Sequence, residues 1–147
     1  MQPVESRWIV EGKIICNRFD QVMNLEAMRH LTEHNDAFNA QYPNRHLHYI
    51  LDLRQVTKID LGVRDLQHLR EQIGTGNIGW VLALLKANSP QNALIQMVGA
   101  MATKIFNIRY RSFYAPEAVL AFLQPMDDTL PDLNPYAALL QNTAATR

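Results

Sequence analysis

His30 and His34 stand four residues apart in a stretch with helical spacing, beside Glu26 and Glu33, and such a pair can hold a transition-metal ion from one helix face. The order is not that of zinc proteases, in which an acid directly follows the first histidine. His34 also falls toward the apolar edge of its helix, so partial burial and adventitious nickel or zinc binding are the favoured readings. His46 and His48 flank Leu47, and strand alternation places both on one face, expected to lie exposed at a strand entrance. A general base there needs an acid or nucleophile within hydrogen-bond reach, and no spacing in the sequence supplies one. Cys16 would act as a nucleophile only beside a histidine that lowered its pKa, and between Ile15 and Asn17 it reads as buried packing.

Gly74-Thr75-Gly76-Asn77-Ile78-Gly79 satisfies G-x-G-x-x-G, whose glycines let a phosphate approach backbone amides at a helix start. That fingerprint follows a strand and opens a helix, whereas here a helix precedes it and a strand follows. It reads as a helix-to-strand connection, with Gly74 or Gly76 supplying the cap. Lys104, Arg109, Tyr110 and Arg111 interleave basic and aromatic groups as single-strand nucleic-acid surfaces do, but an outer strand protected by arginines is the better reading. The expectation is therefore a chain with no catalytic, metal-binding or cofactor-binding residues.

Composition supports that reading. The 147 residues suit one compact domain, which buries about two-thirds of its unfolded surface on folding. Fourteen basic residues balance fourteen acidic ones, so no global field draws the chain to nucleic acid or to an anionic bilayer. A single cysteine cannot close an internal disulfide, which fits a reducing compartment, and the cytoplasm is the expected location. The first residues carry no apolar leader, and no later run reaches the eighteen or so apolar residues of a membrane span.

The elements that must position these groups follow from periodicity. Trp8 and Val10, then Ile14 and Cys16, alternate around Glu11-Gly12-Lys13, which predicts a β-hairpin. Ala27, Met28, Leu31 and Phe38 recur at helical spacing after the candidate cap Asn24, predicting a helix to about Ala40. Leu47 to Leu53 is a nearly continuous apolar run, as a strand covered on both faces requires. Leu66, Leu69 and Ile73 share one face of a second helix, predicted over Leu61–Ile73 with Asp60 as its cap. Trp80 to Leu85 is the next strand, and Ser89-Pro90 is expected to cap and begin a third helix running to Phe106. Ile108 to Phe113 reads as an outer strand, and Pro116 opens a last helix through Leu123. An initial hairpin followed by alternating strands and helices predicts an α/β sandwich with a mixed sheet of about five strands and about four helices. Residues 1–124 form this single domain. Breakers and acidic charge concentrate after Gln124, so 125–147 reads as a C-terminal tail, with a short helix near Tyr136–Gln141 that needs a surface to dock on.

The segment Tyr49-Ile50-Leu51-Asp52-Leu53-Arg54, continuing through Lys58-Ile59-Asp60-Leu61-Gly62, resembles the signature of the STAS superfamily, shared by sulfate-transporter tails and anti-sigma-factor antagonists. There a strand ending in Asp-Leu leads to an Asp-Ser-Ser-Gly-like helix start. Phe113-Tyr114-Ala115-Pro116-Glu117-Ala118, running on to Leu123, is similar to the closing element of the same family, and the likeness spans residues 7–123. The resemblance implies a STAS-like fold and a regulatory module that binds protein partners at the helix start. In the regulatory members a serine follows the helix-start aspartate and is phosphorylated; here that position is Leu61, and only Asp60 and Gly62 of the motif carry over. The chain thus looks like the divergent SpoIIAA-like branch, related to CRAL-TRIO-like domains, some of which bind apolar ligands.

Two non-enzymatic functions are expected in consequence. The first is an interaction module meeting an unknown protein partner through Asp60, Leu61, Gly62, Arg64 and His68. The alternative is a carrier with an apolar pocket between the third helix and the sheet, lined by Met97, Met101 and Phe106. The wide apolar arc of that helix also allows homodimerisation.

Overall fold

The alternation on either side of Glu11-Gly12-Lys13 forms a hairpin, β1 (Val4–Val10) pairing antiparallel with β2 (Ile14–Phe19). Gly12 takes a φ of 74°, and the Lys13 N–H donates to the Val10 carbonyl at 3.0 Å, closing the turn. The structure is a computed structural model and describes residues 2–72 and 78–141. β3 (Val22–Asn24) runs directly into α1 (Leu25–Gln41), whose first turn is capped as expected: Asn24 Oδ1 accepts from the Ala27 N–H at 2.9 Å. There follow β4 (Leu47–Asp52), β5 (Lys58–Asp60), α2 (Val63–Gln72), β6 (Ile78–Leu84), α3 (Asn92–Phe106), β7 (Arg109–Phe113) and α4 (Pro116–Leu123). Two short 3-10 turns, Gln124–Met126 and Asn134–Tyr136, lead to α5 (Ala137–Gln141).

The main sheet is mixed, in the order β1-β2-β4-β6-β7, with every pair after the hairpin parallel. Because it grows in one direction from β2, right-handed crossovers place α1, α2 and α3 on the same face. Leu31, Leu69 and Val98 from those helices accordingly share one core with Phe19, Leu53 and Ala83. The opposite face belongs to α4 and the chain after it. Leu123, Leu130, Leu133 and Leu140 are buried there against Ile14, Ile50 and Leu82. Strand alternation assigns the faces: Tyr49 and Leu51 look toward α1, whereas His48, Ile50 and Asp52 lie on the side of α4.

Three local expectations are corrected. Val22–Asn24 and Lys58–Asp60 form a separate two-stranded parallel sheet, too short to show a period in sequence. Asp60 consequently pairs with Asn24 rather than capping a helix, and α2 begins at Val63. Its cap is Gly62, whose carbonyl accepts from Leu66 N–H at 3.2 Å while its N–H donates back to Asp65 Oδ2 at 3.0 Å. Pro90 likewise stands in the turn before α3 instead of in its first turn, because Ser89 bonds Gln91 and the helix starts at Asn92. That helix ends on Asn107, at a φ of 53°, a conformation asparagine tolerates better than most residues.

Candidate ligand-binding cleft

On α1 the polar residues Thr32, Asn35, Asp36 and Asn39 recur once per turn and therefore form one stripe. This stripe borders a half-open cleft of about 170 Å³ that α3 lines from the other side, with Asp36 exposed at its mouth. Tyr49 and Leu51 of β4, Val81 of β6 and Tyr110 of β7 form its floor. Leu53, Leu61 and Leu66 bound it at the carboxyl end of the strands, and Ile78, Phe106 and Ile108 at the amino end. From α3 the cleft is lined by Ile95, Val98, Gly99, Ala102 and Phe106. Gly99 is required there: a Cβ would come within 2.7 Å of the Tyr110 ring, which occupies that space.

Of the polar groups of the cleft, Asn39 and Tyr49 hold each other. The Asn39 amide donates to the Tyr49 hydroxyl at 2.7 Å, fixing a ring that is 4% exposed. Burial raises the Tyr49 phenol pKa, the Asn39 hydrogen bond opposes that, and the Asp36 charge adds to it. Burial also pushes the Tyr110 phenol up to about 12, so both hydroxyls stay protonated at neutral pH. Asn35 Oδ1 is buried with no hydrogen-bond partner.

The residues expected to line a pocket are placed differently. Phe106 lines the cleft. Met97 is 53% exposed and points away from it, and Met101 packs half-buried against the main core. A helical arc alone does not say which of its sides meets the sheet, and α1, the opposite wall, was not anticipated. The spacing 32, 35, 36, 39 was visible but reads in isolation as a solvent-facing stripe.

Among the residues expected to meet a partner, Asp60, Gly62, Arg64 and His68 are exposed, joined by Val63 at 45% exposure. Leu61 is corrected: it is 8% exposed and belongs to the core, because the residue between β5 and the Gly62 cap turns inward. The surface and the cleft are adjacent, since Leu61 and Leu66 line the cleft from beneath the start of α2.

His48 is a second correction. It is 4% exposed, not at an open strand entrance, while His46 remains exposed just before β4. Its Nδ1 accepts from the Trp80 N–H at 3.0 Å, which leaves the proton on Nε2 to bond Asp127 Oδ2 at 2.9 Å. Gly79 makes this possible, since a Cβ there would lie 2.5 Å from His48 Nδ1. Partial burial tends to raise the Asp127 pKa, but hydrogen bonds from Thr129 and His48 outweigh it and hold the carboxyl at about 2. A further tie joins the same face: Arg54 grips buried Asp52 through two bonds of 2.9 Å and also donates to the Leu140 carbonyl.

The other chemical candidates are placed as follows. His34 Nδ1 lies 2.8 Å from Ser6 Oγ, and its ring stands edge-on to His30 at 6.1 Å. Among the described residues, no three of His, Cys, Asp and Glu gather in a way that would hold a metal ion. Cys16 is 2% exposed, and burial pushes its thiol up to about 12. Arg109 lies over the Trp80 ring and Arg111 over Phe122, so both cations pack along the outer strand β7. The glycine motif falls largely on residues 73–77, outside the described residues. Among the described residues, no helix is long and apolar enough to cross a membrane.

No protein-family model matches the sequence, and no curated protein shows significant similarity to it. The fold has a counterpart among solved structures. The chain is similar to an uncharacterized protein of the DUF3478 family, with a SpoIIAA-like fold, from Shewanella loihica PV-4. The TM-score is 0.56 at 12% sequence identity, covering 82% of this chain and 91% of the other. The architecture is thus the SpoIIAA-like α/β fold that the resemblance implied.

Proposed function

We propose that this chain is a non-catalytic binding module that holds a small apolar ligand in the cleft between α1 and α3. The carrying observation is the cleft of about 170 Å³ on an apolar floor, lined by α3 on one side and by polar side chains of α1 on the other. A cavity of this size is close to the roughly 150 Å³ space that takes up benzene in an engineered protein interior. A seven-carbon probe such as toluene, at about 0.7 kcal/mol per atom, gains about 5 kcal/mol, a Kd of about 0.2 mM. Titrating methyl-labelled protein with toluene is the test. Saturable shifts at Leu51, Val81 and Val98 are expected, and unchanged spectra at millimolar toluene would remove the proposal.

A second reading is favoured by the exposed start of α2, where Val63 stands among Asp60, Gly62, Arg64 and His68. There a protein partner would bind, with Leu61 and Leu66 beneath it reporting the state of the cleft. Exchange of Val63→Glu and Arg64→Glu tests this surface by affinity capture: a partner retained undiminished by both variants argues against it.

A further inference from the structure

Resting on the cleft reading, we infer that the ligand is a one-ring arylalkyl amine, with its ring on the Tyr49–Val81–Tyr110 floor and its ammonium group at the α1 rim. Size sets the first limit. The volume of about 170 Å³ matches one aromatic ring with a short linker, which fills the apolar floor without leaving the cleft.

Charge sets the second. Among the described lining residues, Asp36 is the one carboxylate, and none is lysine, arginine or histidine. Asp36 forms no ion pair among the described residues. It is exposed at the mouth, yet its field reaches the buried Tyr49 hydroxyl. An ammonium group at the rim supplies the cation that Asp36 lacks. A carboxylate group can take the Tyr49 hydroxyl proton, but it would sit in the field of Asp36 with no cation to balance it.

The test is a methyl-shift titration of the full chain at pH 7 with toluene, 2-phenylethylamine, phenylacetate and decylamine. The amine is expected to bind about tenfold tighter than phenylacetate, as a charge several ångströms away in a partly wet site supports. Asp36→Asn should reduce that preference about threefold or more and leave toluene binding unchanged, and added salt should narrow it. If toluene binds but phenylacetate equals or exceeds the amine, the head-group inference falls and the cleft reading stands. If decylamine binds tighter than 2-phenylethylamine, the one-ring limit falls. If none of the four binds, both readings fall together.

Discussion

Ala102 of α3 lines the cleft beside the main core, and on the cleft reading Ala102→Leu places its three added carbons in the open space. At about 0.8 kcal/mol per buried methylene the gain is about 2.4 kcal/mol, and ordering the leucine side chain returns about 0.5–1 kcal/mol of it. The net expectation is a stabilisation of about 1.5 kcal/mol, with Tm rising by about 3–6 °C. Leucine is nearly as good a helix former as alanine, so propensity contributes little. Urea melts of wild type and variant measure the change, and toluene titration of both should show the variant losing at least about tenfold in affinity. The sign decides the matter. A destabilisation of about 1–3 kcal/mol, the usual result of adding carbons to a filled core, with toluene binding unaltered, would refute the cavity at this position.

Three further outcomes follow from the opposite face. Gly79→Ala should destabilise by about 2–4 kcal/mol in urea, because the new Cβ displaces His48 and meets the Leu47 carbonyl at 3.0 Å, breaking both His48 hydrogen bonds. Asp127 has its pKa lowered from 3.8 to about 2 on folding, so its contribution is complete above about pH 4 and is lost as pH falls through 2. Asp127→Asn should therefore be less stable than wild type at pH 5 and converge with it near pH 2; a constant gap in acid melts would contradict the linkage. Arg54→Met leaves Asp52, 2% exposed, without its counter-ion and removes the Arg54 bond to the Leu140 carbonyl, with an expected loss of about 3–5 kcal/mol. Hydrogen exchange at α5 should quicken more than at α4, and equal effects on both helices would argue that Arg54 does not fasten that segment.

What the sequence determined by itself is the succession of elements and the two-sided character of the sheet. The hairpin at Gly12, the Asn24 cap, the doubly buried run Leu47–Leu53 and Pro116 at the head of α4 are all local signals, set by backbone conformation and by the period of apolar residues. Tertiary structure alone decided the site. Period tells which side of a helix is apolar, but not what stands across from its polar side. Thr32, Asn35, Asp36 and Asn39 become a cleft wall only because α3 presents Gly99 and Ala102 opposite them. Met97 and Met101 lose their expected role for the same reason, since the rotation of α3 on the sheet is fixed by Ile95 and Val98 reaching the core. The burial of His48 likewise depends on Asp127, seventy-nine positions further along the chain, a distance over which no local pattern carries information.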